Sequence, residues 1–197
     1  MNYILASASP RRRELLALLG HPFEIHVPRV EERVDPLWTA AEAARNLAQQ
    51  KALDVSASFP GACVIAADTI VEIDGILLGK PVDAADAARM LRLLSGREHR
   101  VVTGVCLQLG SRERVFSRET LVRFYPLSGE EIAAYVRSGE PMDKAGAYGI
   151  QGRGALLVEG ITGDYFNVVG LPVAMLAREI APFACEGGGA QRRGVFS

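Results

Sequence analysis

Residues 4–16, Ile4-Leu5-Ala6-Ser7-Ala8-Ser9-Pro10-Arg11-Arg12-Arg13-Glu14-Leu15-Leu16, run from a short apolar strand through a Ser-x-Ser-Pro turn into a helix. Ser9 is a good N-cap, and Pro10 fits the first helical position, where its missing N–H is no loss. The helix then opens on three arginines, which is electrostatically backwards. A helix start carries unpaired N–H groups and partial positive charge, so acidic side chains belong there. A bound anion removes the conflict: Ser7 and Ser9 supply hydroxyls, and the arginines supply forked donors suited to phosphate oxygens. Successive helical residues point about 100° apart, so one or two of Arg11, Arg12 and Arg13 face the ligand. The competing reading is a capped helix with solvated arginines.

The rest of the chain bounds what that anion can be. With 197 residues, 49% of them hydrophobic, the chain can bury a substantial core, as one large domain or two small lobes around one cleft. A net charge of −1 and a pI near 6.3 give no global field for nucleic acid, so an anion site must be local. Cys63, Cys106 and Cys185 are odd in number, lack Cys-x-x-Cys spacing and sit in or beside apolar runs, and are read as reduced core thiols. His21, His26 and His99 show no zinc spacing and are read as surface or packing residues. No apolar run approaches the ~20 residues of a membrane span, and the N-terminus enters a strand at once. A cytoplasmic protein with no membrane and no nucleic-acid partner is expected.

The pattern predicts a single domain over 1–185, with a disordered glycine-rich tail over 186–197. After the first helix, ending near Gly20, a second strand is expected over Phe23–Val30, leading to Glu31 and Glu32 in a connection. Thr39 precedes an alanine-rich helix, Ala40–Ala57, with Lys51 in its later turns. Ala62 to Ala67 is a continuous apolar run typical of a buried central strand, ending at Asp68-Thr69 and resuming over Ile70–Ile73. Asp74-Gly75 signals a hairpin returning through Ile76–Leu78 to Gly79-Lys80-Pro81. Asp83 caps a helix stopped by Gly96, with Ala87, Met90, Leu91 and Leu94 on its buried face. A second hairpin is predicted from Arg100 to Tyr125, and Ser128 with Glu131 makes a capping box. The glycine density of residues 139–154 predicts a loop lining a cleft. Ala155–Val158 and Asp164–Val169 read as strands, and Pro172 starts a last helix to about Phe183.

Asp68 is the most suggestive carboxylate, because it interrupts an apolar strand where an unpaired charge costs several kcal/mol. A divalent cation, a nearby lysine or a polar cleft would each offset that cost; capping of a turn is the alternative. Glu32 or Glu31 supplies a possible second carboxylate, although Glu-Glu-Arg is by itself an ordinary solvated stretch. Mg2+ takes one or two carboxylates plus substrate phosphates, so Asp68, Glu32 and a polyphosphate make a plausible shell. Lys51 and Lys80 are candidate phosphate contacts, Lys80 on a short stiff connection. A lone helical lysine such as Lys51 ordinarily faces solvent.

These features together describe a site for a nucleotide-like polyanion. The segments Leu5-Ala6-Ser7-Ala8-Ser9-Pro10-Arg11-Arg12, Ala67-Asp68-Thr69, Gly79-Lys80-Pro81, Leu94-Ser95-Gly96-Arg97, residues 140–152 and Val169-Gly170-Leu171-Pro172 resemble the Maf family of nucleoside triphosphate pyrophosphatases. The resemblance spans the chain up to the tail. It implies an α/β fold with a long, bent mixed β-sheet and two lobes around a nucleotide cleft, similar to the inosine triphosphatase group. It also implies hydrolysis of a nucleoside triphosphate to the monophosphate and pyrophosphate, with Asp68 as proton acceptor. Glu32 and Asp68 would hold a divalent cation, Mg2+ or alternatively Mn2+ or Co2+. Ser7, Arg12, Glu32, Lys51 and Lys80 match the phosphate and metal end. Arg11, Thr69 and Gln151 match base-selecting positions of the dTTP/UTP branch, where the sister branch acting on 7-methyl-GTP tends to carry Trp, Gln and Glu. Gln151 offers donor and acceptor for the O4/N3 edge of uracil or thymine, and modified pyrimidines are weakly discriminated. A homodimer is expected from relatives. The alternatives are a house-cleaning enzyme for non-standard purine triphosphates and a nucleotide-responsive regulator of cell division without turnover.

Overall fold

A computed structural model describes the backbone of residues 1–185 and the side chains of residues 1–183. Strand β1 (Tyr3–Leu5) runs into the serine turn, and α1 (Pro10–Ala17) starts on it, with Ser9 Oγ accepting the Arg12 N–H at 3.4 Å. There follow β2 (Phe23–Ile25), α2 (Ala40–Ser56), β3 (Cys63–Ile73), β4 (Ile76–Leu78), α3 (Ala84–Leu94), β5 (Glu98–Leu109), β6 (Arg112–Phe124) and α4 (Gly129–Arg137). Short 3₁₀ turns then lead to β7 (Val158–Thr162), α5 (Tyr165–Val169) and α6 (Val173–Cys185). The expected capping chemistry is in place: Thr39 with Glu42 and Ser128 with Glu131 form capping boxes, and Asp83 caps α3.

The fold is α/β, as expected, with a seven-stranded mixed sheet in the order β2-β1-β3-β5-β6-β7 and β4 also paired to β3. β1 lies parallel between β2 and β3, and all pairings from β3 onward are antiparallel. The position of the site follows from how β3 is shared. β5 lines one edge of β3 from Val64 to Glu72. On the other edge β1 covers Cys63 to Ile65, and β4 covers Val71 to Ile73. Residues 66–70 therefore have no strand on that edge, and the sheet is broken there on one side of an intact strand.

Two apolar cores flank the break. Ile65, Ala67, Val105 and Leu107 join α1 and α6 residues in one, while Val71, Ile73 and Val101 join α3 and α4 residues in the other. Helix α2 covers the opposite face, packing Ala43, Ala44 and Leu47 on Ile70 and Val102, and Ala48, Ala52 and Val55 on Val64, Ala66 and Cys106. Such close approach needs small residues, and Gly104 on β5 shows it: a Cβ there would sit 2.3 Å from the Ala44 carbonyl.

Four expectations are corrected. The second strand stops at Ile25, not Val30, because its partner β1 ends at Leu5 and Pro28 has no N–H to donate. β3 runs unbroken through Asp68 and Thr69. Ala155–Val158 falls mostly in a 3₁₀ turn over Gly152–Leu157, with β7 starting only at Val158. Asp164–Val169 is not a strand: Asp164 Oδ1 accepts the N–H groups of Phe166 and Asn167 and starts α5, so the cap overrides the β-preference of Tyr165, Phe166 and Val168. Cys63 and Cys106 are free and buried, burial pushing both thiols up to about 12. The side chain of Cys185 and the tail over 186–197 lie outside the described residues.

Candidate active site

Alternation along β3 sends Asp68 and Thr69 to opposite faces of the strand. Asp68 turns toward α2, where Lys51 Nζ donates to its Oδ1 and also lies 3.0 Å from Glu32 Oε1. Lys51 and Asp68 are each only 9% exposed, so the solvent-facing reading of Lys51 is wrong. A cleft-lining carboxylate in an apolar strand is thus paired, as its burial demands. The pair serves the site rather than capping a turn.

Thr69 turns toward α1. Arg12 Nη2 donates to Thr69 Oγ1 at 3.0 Å, and Arg12 Nε donates to the Gly170 carbonyl at 2.8 Å. These bonds occupy one edge of the guanidinium. Its three other N–H bonds have no partner among the described residues, which leaves the end-on fork for a ligand. Burial lowers the Arg12 pKa from its ordinary value, and Asp68 partly restores it. Arg11 reaches Asp143 at 3.5 Å across the cleft, and Arg13 is exposed. Ser7 is buried and its Oγ accepts the Ser9 N–H at 3.1 Å.

The facing wall is the glycine-rich segment, folded by one carboxylate. Glu140 accepts from Tyr135 Oη at 3.0 Å and from the N–H groups of Arg153 and Gly154 at 3.1 Å each. Burial pushes Glu140 up, but these donors outweigh it and hold its pKa below the usual value. Gly152 has φ +64°, and a Cβ on Gly154 would lie 2.1 Å from the Gly149 carbonyl oxygen. The wall that presents Gln151 therefore requires glycine at both places.

All nine sequence-selected residues, Ser7, Arg11, Arg12, Glu32, Lys51, Asp68, Thr69, Lys80 and Gln151, line a single cleft of about 1010 Å3 at the break in the sheet. Lys80 and Gln151 are exposed on its rim. Within the cleft-lining loop expected over 139–154, sequence reasoning did not single out Glu140, Asp143 and Lys144, which line the cleft; their crowding in Glu140-Pro141-Met142-Asp143-Lys144 was the available signal. It also missed Thr103 and Asn167, whose contacts cross distant strands and leave no local trace.

Glu32 and Asp68 each place a carboxylate oxygen against the Lys51 ammonium. Among the described residues no group of three or more His, Cys, Asp or Glu could hold a metal ion. A Mg2+ shell at this point fits only if phosphate oxygens and water complete it, which is usual for that ion.

Basic donors and a paired carboxylate around a cleft at a sheet break define an α/β protein with a polyanion site. The chain belongs to the Maf family: the profile described as Maf-like protein matches residues 2–183. It is 55% identical over 180 residues to a dTTP/UTP pyrophosphatase of Symbiobacterium thermophilum, covering 91% of this chain and 93% of that one. It is 53% identical over 185 residues to a dTTP/UTP pyrophosphatase of Moorella thermoacetica, covering 93% and 95%. Among solved structures, a nucleoside-triphosphatase / dITP/XTP pyrophosphatase from Mycobacterium abscessus aligns with a TM-score of 0.44 at 21% identity, over 64% of this chain and 76% of that one. No helix among the described residues is long and apolar enough to cross a membrane.

Proposed function

We propose that this chain is a nucleoside triphosphate pyrophosphatase that hydrolyses dTTP and UTP to the nucleoside monophosphate and pyrophosphate. The observation that carries the reading is the buried Lys51–Asp68 pair on β3 at the break in the sheet, beside the free fork of Arg12. The relatives' activity, at more than half identity over nearly the whole chain, supplies the substrate.

Asp68 accepts a proton from water as the water oxygen bonds to the α-phosphorus; the bond from that phosphorus to the α–β bridging oxygen breaks, and the bridging oxygen leaves with pyrophosphate. Lys51, donating to Asp68 Oδ1, holds the carboxylate in place for that transfer. Arg12, Lys80 and Ser7 hold the triphosphate, their donors directed at oxygens where charge accumulates as the bond breaks. Glu32 and Asp68 would hold Mg2+, which when bound neutralises triphosphate charge. On the far wall Gln151, with Arg11 and Thr69, selects the base. The enzyme acts in the cytoplasm as a homodimer, an assembly that light scattering reads directly.

A panel of dTTP, UTP, CTP, ITP, XTP and 7-methyl-GTP, with Mg2+ present and products separated, tests the reading. Pyrophosphate release from dTTP and UTP is expected. Orthophosphate alone, no turnover of either, or a preference for ITP and XTP refutes it.

A further inference from the structure

Thr103 is fully buried on β5, opposite Thr69 in the β3–β5 register. Its hydroxyl lies 2.8 Å from the backbone carbonyl oxygen of Asn167. That oxygen can only accept, so the Thr103 proton is committed there. In the 3.0 Å contact between the Thr69 and Thr103 hydroxyls, Thr69 must then be the donor. Thr69 consequently meets Arg12 with lone pairs alone, the polarity its bond from Nη2 requires.

Asn167 is itself fixed on every polar side-chain atom. Its Oδ1 accepts the Thr103 N–H at 3.2 Å, and its Nδ2 donates to the Val101 carbonyl at 2.9 Å and to Thr120 Oγ1 at 3.0 Å. The same short helix α5 is capped at its C-terminus by Gly170, whose carbonyl accepts from Arg12 Nε. Both acceptors on the inner edge of the guanidinium thus trace back to α5 and its bolt to the central strands.

We propose that Thr103 is a positioning residue of the nucleotide site: its buried hydroxyl, locked by Asn167, sets the direction of the Thr69 proton and so aims the outer fork of Arg12 at substrate phosphate. The proposal rests on the reading of Arg12 as a phosphate contact. Chains of hydrogen bonds with one allowed polarity are rigid, and this one ends on the group that must hold a charged ligand at a set angle. A buried threonine with a purely structural role would stabilise the sheet without affecting the anion.

Thr103→Val replaces the hydroxyl with a methyl of similar shape, leaving the Thr69 proton without its acceptor. Calorimetric binding of inorganic triphosphate and steady-state kinetics with dTTP are the readouts. Loss of a hydrogen bond that orients a charged donor is expected to weaken triphosphate binding and raise KM about tenfold, with kcat changed less than about threefold and Thr103→Ser restoring both to within about twofold. Triphosphate binding equal to the wild type's overturns the proposal, as does a Thr103→Ser variant no better than Thr103→Val, or a wild-type protein that does not bind triphosphate. If the valine variant does not fold, Thr103→Ala is judged by the same outcomes. Failure of the wild type to turn over dTTP and UTP refutes the proposed reaction, while the triphosphate series still decides the role of Thr103.

Discussion

Replacing Gly104 with alanine drives a methyl group into the backbone of the helix that carries Lys51. Gly104 sits opposite Asp68 in the β3–β5 register, and a Cβ there lies 2.3 Å from the Ala44 carbonyl carbon and oxygen and 2.5 Å from the Arg45 nitrogen. Ordinary contact begins at 3.4 Å, so α2 must retreat by about 1.1 Å. All three atoms are backbone, so no side-chain rotation absorbs the clash. Overpacking costs about 1–3 kcal/mol, and loosening Ala43, Ala44 and Leu47 from Ile70 and Val102 adds on the order of 1 kcal/mol. The expected loss is about 2–4 kcal/mol, which lowers Tm by roughly 5–15 °C in a domain of this size. Lys51 lies about two turns beyond Ala44 on the same helix, so the retreat also draws its ammonium away from Asp68 and Glu32. A displacement of that size costs about 100-fold in kcat/KM. Urea unfolding and pyrophosphate release from dTTP measure the two effects. A Gly104→Ala protein within about 0.5 kcal/mol of the wild type, with unchanged kcat/KM, would refute the claim that backbone contact at Gly104 seats Lys51.

Asp68→Asn keeps the shape of the site and removes the base: turnover should fall at least about 1000-fold with nucleotide affinity little changed, and turnover above a tenth of wild type would exclude Asp68 as the proton acceptor. Lys51→Met leaves the Asp68 and Glu32 carboxylates facing each other without a cation, so urea unfolding should show a loss on the order of 2 kcal/mol, partly recovered by Mg2+ alone; a variant as stable as the wild type contradicts the pairing. Burial pulls His99 down to about 4 from 6.5, so between those values the unfolded chain binds a proton that the folded chain refuses. The His99 contribution is therefore complete above pH 6.5 and is lost toward pH 4, at up to roughly 1.4 kcal/mol per pH unit. Urea unfolding across that range should show the slope, and a His99→Gln variant with the same slope counts against its origin in His99.

Local chemistry was legible wherever one residue's preference was unopposed. Asp74-Gly75 gave its hairpin because both residues adopt positive φ, 53° and 78°, and Ser9, Thr39, Asp83 and Ser128 capped the helices they precede. Asp164–Val169 was misread because one cap competed with the β-favouring side chains of Tyr165, Phe166 and Val168, and the outcome depended on Asn167 docking against β5 and β6. The site residues were found, but their roles toward one another were not. Lys51 read as a candidate phosphate contact, and its pairing with Asp68 showed only once α2 was seen lying against the strand that bears Asp68.

The sequence by itself determined most of the elements, the α/β character and nine residues of the cleft, since caps, turns and apolar runs act over a few residues. Only the tertiary structure decided where that chemistry operates. The opening in the sheet exists because β1 stops at Leu5, opposite Ile65, and β4 stops at Leu78, opposite Val71, on the same edge of β3. The polarity that aims Arg12 exists because Thr69, Thr103 and Asn167 meet across three elements. Both depend on registers between segments far apart in the chain, and no local propensity encodes a register.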